Sequence, residues 1–135
     1  MLQIEHLTKI YADGTLALDD VSFEVVDGEF LVVLGLSGAG KSTLLRCINR
    51  LIEPTSGTIT WDGDDVTAAS GEELRTIRPH IGMNFQEFNL VEQSSVLTNV
   101  LSGRLAYVNS WLSLFGRFPK EDVERAIGNL ERMSI

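Results

Sequence analysis

Leu2, Ile4 and Leu7 mark a first strand, and Leu16, Leu18, Val21, Phe23 and Val25 a second whose other face carries Ser22 and Glu24. Asp27-Gly28 then turns the chain into Phe30-Leu31-Val32-Val33-Leu34. Five successive apolar residues bounded by glycines predict a strand buried on both faces. From Lys41 to Leu51 the period lengthens, with Leu44, Leu45 and Ile48 at helical spacing and Glu53-Pro54 as the stop. Pro54-Thr55-Ser56-Gly57 reads as a loop. Thr58 to Trp61, the Asp62-Gly63 turn and a short return predict a hairpin. Ser70-Gly71-Glu72-Glu73 has capping-box spacing and should open a short helix ending before Pro79. Ile81 to Phe85 predicts one more strand, followed by a polar loop around Gln86.

After Ser94 the pattern is helical. Val96, Leu97, Val100 and Leu101 form one face. Pro119 precedes a helix whose Val123, Ala126, Ile127, Leu130 and Met133 make a core stripe, with Glu121, Asp122 and Glu124 in its first turn. These elements predict an α/β portion with added antiparallel strands, then a helical portion from about residue 94. One parallel core strand with accessories is an unfinished sheet, so the expectation is a truncated domain.

Composition narrows the partners. A chain of 135 residues allows one domain with a real core. The net charge of −8 is uneven: residues 1–67 hold 4 Lys and Arg against 11 Asp and Glu, residues 68–135 hold 7 against 8. An acidic chain without a basic stripe argues against nucleic acid as the main partner. The single cysteine, Cys47, lies in the first helix, where a buried thiol is expected and no internal disulfide can form. The opening residues lack a basic start and an apolar run, and no stretch has the roughly 18 apolar residues of a membrane span. A cytosolic chain is expected, with any membrane link made through a partner.

The chemistry concentrates in Gly35-Leu36-Ser37-Gly38-Ala39-Gly40-Lys41-Ser42-Thr43, a complete G-x-x-x-x-G-K-S phosphate loop between the apolar run and the helix. A glycine-rich turn entering a helix N-terminus offers several backbone N–H groups to one anion, which the helix dipole also favours. Gly35, Gly38 and Gly40 permit angles and close approaches that a side chain would block. The amides from Gly38 to Ser42 would cradle the α- and β-phosphates, Lys41 would reach the β- and γ-phosphates, and the Ser42 hydroxyl would bind Mg²⁺. A nucleoside triphosphate is the expected guest. Asp62, Asp64 and Asp65 fit hairpin turn chemistry better than a metal cluster. His6 and His80 stand far apart with no cysteine companions and read as structural or surface residues.

The order Leu7-x-x-x-Tyr11, Ala17 to Phe23, Gly28-Glu29-Phe30, the phosphate loop, Pro54 to Ile59 and Phe85-Gln86-Glu87-Phe88-Asn89-Leu90 resembles the first half of an ABC-transporter ATP-binding subunit. Within that superfamily, Leu44 to Asn49, Phe88-Asn89-Leu90, Asn99 to Leu105 and Phe118 to Asp122 resemble the subunit of phosphonate importers. The resemblance implies a P-loop NTPase fold of the ABC ATPase type, with an antiparallel β-subdomain. Residues 1–93 would form the nucleotide-binding core and 94–135 the beginning of a helical subdomain.

It further implies that Tyr11 stacks on the adenine ring and that Gln86 contacts Mg²⁺ or the attacking water. The binding set is then Tyr11, Gly35, Ser37, Gly38, Ala39, Gly40, Lys41, Ser42 and Thr43. Lys41 and Gln86 carry the catalytic roles, and Ser42 and Gln86 hold the metal. ATP and Mg²⁺ are the implied cofactors. The implied partners are transmembrane permease subunits, a second copy of the subunit and, indirectly, a periplasmic binding protein, at the cytoplasmic face of the inner membrane. Trp111, Leu112, Leu114 and Phe115 fit either a partner-facing patch or a packed corner.

Leu36, where proline is common, and Asn84, where an apolar residue is usual, depart from the family pattern. The closing serine-glycine motif, the Mg²⁺-linked aspartate and the adjacent catalytic glutamate have no counterpart in these residues. Glu87 reads better as a solvated or partner-facing carboxylate than as a replacement base. Phosphoryl transfer to water needs a positioned nucleophile, so little hydrolysis is expected of this chain. A non-catalytic nucleotide-binding fragment and an importer of amino acids or another oxyanion remain open alternatives.

Overall fold

The computed structural model describes residues 1–85, 90–108 and 116–133. They fall into two compact units, Met1–Ile81 and Gly82–Ile135. The first is built on a four-stranded antiparallel sheet of order β2-β1-β3-β4, with β1 at Leu2–Ile10, β2 at Leu16–Val25, β3 at Ser56–Trp61 and β4 at Asp64–Asp65. Helix α1 spans Lys41–Ile48 and α2 spans Gly71–Ile77, which runs on into a 3-10 turn at Arg78–His80.

Residues three apart in a regular strand face opposite sides of the sheet, yet Ile4 and Leu7 are both fully buried. A register shift between them reconciles the two, with His6 at φ 51°. The partner strand repeats the device: its register shifts again between Leu7 and Lys9, and Asp20 sits at φ 50° between Leu18 and Val21. His6 Nδ1 and Asp20 Oδ1 meet at 2.7 Å across the two irregularities. Both strands can then turn their apolar residues onto one core, where Ile4, Leu7 and Leu18 join Ile59, Val66 and the α1 residues Leu44, Cys47 and Ile48. Burial of the Cys47 thiol pushes its pKa up.

Local signals set the turns. Asp62 and Gly63 both have positive φ, as a two-residue hairpin of the primed type requires. Ser70 Oγ accepts from the Glu73 amide and Glu73 Oε2 from the Ser70 amide, so the expected capping box forms. The Asp65 carboxylate accepts from the amides of Thr67 and Ala68 and from the Thr67 hydroxyl, which confirms its turn role. Among the described residues no group of three metal-ligating side chains occurs.

Helix α1 is shorter than its periodicity predicts. Arg50 takes φ 53°, which ends the helix before Leu51. Two arginines then bind exposed ends of backbone. Arg78 donates to the carbonyls of Asn49 and Arg50 at 3.1 and 2.8 Å, where the helix leaves its last acceptors unpaired. Arg50 donates to the carbonyls of Val66, at 3.1 Å, and Ala69, and its Nε holds Glu53.

Two expected strands are not formed. Phe30 to Leu34 has no strand partner among the described residues, and its side chains are exposed, Phe30 and Leu34 by 89% and 87%. An apolar run becomes a strand only when its backbone groups find a neighbouring ladder, and the four strands here pair only with one another. Ile81 to Phe85 is likewise irregular; Asn84 is exposed and needs no buried hydrogen-bond partner.

In the second unit, α3 spans Val96–Ser102 and α4 spans Lys120–Arg132. Ser95 caps α3 through the Thr98 amide, and Asn99 exchanges hydrogen bonds with both backbone groups of Val91. Leu101 and Ala126 are buried, but Ile127 and Met133 of the predicted stripe are 42% and 72% exposed. The buried Asp122 is held by Arg104 at 2.8 Å. No helix among the described residues is long and apolar enough to cross a membrane.

Replacing Arg50 by Met leaves the Val66 and Ala69 carbonyls without their charged donor and should cost about 2–4 kcal/mol, measured by urea unfolding. Acid should act on the same region. The Thr67 hydroxyl holds the Asp65 carboxyl, and the Ser70 amide the Glu73 carboxyl, below their ordinary pKa values. Such groups stabilise the fold above their unfolded values of about 4 and lose that contribution as pH falls through the depressed folded values. The Thr67 and Ser70 amide resonances should therefore shift only below about pH 4, and Glu73→Gln should remove the Glu73 share.

Candidate functional site

The loop from Gly35 to Gly40 leaves the exposed run and enters α1 without any capping side chain. Gly38 and Gly40 have φ 83° and 81°, angles that a residue with a Cβ adopts only at a cost. At Gly40 space matters as well as angle. A Cβ there would lie 2.2 Å from the Ala17 carbonyl oxygen and 3.2 Å from Leu18 Cδ2. The end of the loop is thus seated directly on β2, and only glycine permits the seating.

Lys41 closes the loop on itself. Its ammonium donates to the carbonyls of Gly35 and Leu36 at 2.8 and 2.7 Å. The Ala39 amide donates to the Leu36 carbonyl at 3.2 Å. Among the described residues, the amides of Gly38, Gly40, Lys41, Ser42 and Thr43 have no hydrogen-bond acceptor. The first turn of α1 carries no acidic residue, so nothing of its own neutralises the positive end of the helix. Open donors, a positive helix end and one ammonium suit a polyanion, and phosphate groups supply the acceptors. The Ser42 side chain is exposed and its hydroxyl has no partner among the described residues, which fits the donor set of a hard divalent cation.

Tyr11 lies beside this loop in space. Its hydroxyl meets Thr43 Oγ1 at 3.1 Å, which ties the end of β1 to the first turn of α1. Lys9 Nζ lies 5.4 Å from the Tyr11 ring centroid and also donates to the Glu53 carbonyl. The structure therefore brings Tyr11, Gly35, Gly40, Lys41 and Thr43 into one linked set, with Ser37, Gly38, Ala39 and Ser42 on its exposed rim. Gln86, Glu87 and the Trp111 to Phe115 group lie outside the described residues. Sequence reading missed Lys9 and the Ala17 carbonyl. The first had a signal, since residues two apart on a strand share a face; the second is a backbone atom and had none.

The antiparallel sheet backing a glycine-rich loop that runs into a helix aligns with ATP-binding cassettes of known structure. A solved dimeric structure of the ATP-binding cassette MJ0796, in a post-hydrolysis state bound to ADP and Pi, aligns with a TM-score of 0.81 at 32% identity, over 97% of this chain and 56% of that one. The cbiO1 protein of Clostridium perfringens, part of the ABC transporter complex cbiONQ, aligns at 0.71 and 30%, over 99% of this chain and 50% of its own. The chain belongs to the ABC transporter family, whose model matches residues 18–135.

Among curated relatives it is 52% identical, over all 135 residues, to the phosphonates import ATP-binding protein PhnC of Lactobacillus gasseri, and 48% identical to PhnC 1 of Halalkalibacterium halodurans. The chain spans about half the length of these relatives, 52% of each.

Two glycine substitutions separate angle from space. Gly38→Ala meets no atom within 4 Å and should cost only the backbone strain, about 1–2 kcal/mol. Gly40→Ala must also displace the Ala17 carbonyl and should cost about 1–3 kcal/mol more. Urea unfolding of the two variants side by side measures the difference.

Proposed function

We propose that this chain supplies the ATP-gripping part of the energy-coupling subunit of a bacterial ABC importer, with phosphonates as the transported class. The observation that carries the reading is the loop itself: amides that have no acceptor among the described residues at an uncapped helix end, beside an ammonium held in place by Gly35 and Leu36. The solute class rests on the PhnC relatives being phosphonates import ATP-binding proteins, because nothing in the loop touches a transported molecule. The reading divides the chain into a nucleotide-binding core at 1–93 and the start of a helical subdomain at 94–135.

In this reading Lys41 leaves its two carbonyls for the β- and γ-phosphates. The amides of Gly38 to Ser42 orient the α- and β-phosphates, with Gly35, Ser37 and Ala39 shaping the loop. Tyr11 presents its ring to the adenine, and Thr43 holds the tyrosine hydroxyl. Ser42 and Gln86 would hold Mg²⁺, which offsets phosphate charge when bound, and Gln86 would orient the attacking water. The intact subunit would pair with a second copy, dock on permease subunits at the cytoplasmic membrane face and serve a periplasmic binding protein indirectly. The dimeric MJ0796 cassette supports the pairing.

Titrating a fluorescent ATP analogue with and without Mg²⁺ tests the site. Lys41→Ala should weaken binding at least about tenfold, a loss of roughly 1.4 kcal/mol, and Ser42→Ala should abolish most of the Mg²⁺ effect. Residues 1–135 alone should hydrolyse little ATP; substantial Mg-ATP turnover that Lys41→Ala removes would overturn that expectation.

A further inference from the structure

Tyr11 stands at the surface just past the end of β1, where an exposed side chain ordinarily moves freely among its rotamers. Here it is restrained at three points. A turn fixes its backbone: its amide donates to the Thr15 carbonyl, and its carbonyl accepts from the Gly14 amide, both at 2.9 Å. Its hydroxyl is joined to Thr43 Oγ1 on α1. Its ring lies under the Lys9 ammonium, 5.4 Å from the centroid, within reach of a cation–π attraction. Lys9 is itself held, because its Nζ donates to the Glu53 carbonyl at 2.7 Å. The stretch that carries Glu53 is pinned to β1 in turn by Thr55. The Thr55 amide donates to the Thr8 carbonyl at 2.8 Å, and its hydroxyl accepts from the Ile10 amide at 2.9 Å.

We infer that Lys9 is a positioning residue for nucleotide recognition: it covers one face of the Tyr11 ring, so that the base is received on the other. The inference rests on the reading of Tyr11 as the adenine platform and adds what prepares that platform. A cation over one face draws the ring's π density toward itself. A base stacked opposite then meets a less negative surface, which eases the approach of two π systems. Restraint contributes as well, because a ring held before the base arrives loses less side-chain entropy on stacking. The hydrogen bond of Lys9 runs to the stretch that follows α1 and not to the phosphate loop. Its effect therefore falls on the base, while Lys41 acts on the polyphosphate.

The test compares ATP with inorganic tripolyphosphate, which carries the charge but no base. Calorimetric titration of the 135-residue chain at constant Mg²⁺ gives both affinities. Lys9→Met keeps an apolar stem and loses the charge. It should weaken ATP binding about two- to fivefold, the weight of an exposed cation–π contact, and leave tripolyphosphate binding unchanged. Lys9→Arg, whose guanidinium both stacks on rings and donates hydrogen bonds, should restore the ATP affinity. A second measurement needs no variant and so stands even where Lys9→Met fails to fold. In the wild-type chain, nuclear Overhauser contacts should join the Lys9 Hε protons to the Tyr11 ring. They should persist with ATP bound, while the adenine protons contact the same ring. Equal losses of ATP and tripolyphosphate binding, an ATP affinity indifferent to Lys9→Met, no rescue by Lys9→Arg, or adenine contacts that replace those of Lys9 would each overturn the inference. A wild-type chain that binds neither compound would overturn the phosphate-loop reading and the inference with it. With wild-type binding intact, each of the other failures falls on Lys9 alone.

Discussion

The contact between Gly40 and the Ala17 carbonyl governs what the phosphate loop can be. A loop of glycines is by nature mobile, and ordering it costs conformational entropy. Here the loop is fixed at both ends of its curve, by close backbone packing against β2 at Gly40 and by the Lys41 ammonium bridging Gly35 and Leu36. The amides of Gly38 and of Gly40 to Thr43 are therefore held without an acceptor among the described residues, by contacts that do not themselves use those amides. A site prepared in this way loses less entropy when an anion arrives.

The sheet that provides this seat depends in turn on backbone irregularity. His6 and Asp20, both at positive φ, mark where β1 and β2 change which residues face the core. Gly57 lets β3 lie close against the same place, since a Cβ there would meet the His6 carbonyl oxygen at 2.4 Å. Arg50 and Arg78 then satisfy carbonyls that the short α1 and the turn before α2 leave open. The layer beneath the loop is thus held by side chain to backbone bonds as well as by apolar packing.

What the sequence made legible follows from the range of the forces involved. The capping box at Ser70 and Glu73 and the Asp62-Gly63 turn are complete within a few residues, and each takes the form its spacing predicts. The left-handed Arg50 that cuts α1 short answers to long-range carbonyls and leaves no mark in the periodicity. Phe30 to Leu34 is the clearest case. Its composition predicts a buried strand and the structure shows none, because strandedness is a property of a pair and composition describes one member. At the site, the linkage of Tyr11 to Thr43 joins residues 32 positions apart, which only the fold can reveal.

Cys47, the sole thiol of the chain, has no exposed surface in the core beneath α1. Only a thiolate reacts readily, and burial opposes both its formation and its access to reagent. The residue is consequently a built-in clock for the first unit: a maleimide can reach it only in molecules whose helix has lifted from the sheet. Its labelling rate would follow those rare openings one molecule at a time, with no engineered probe.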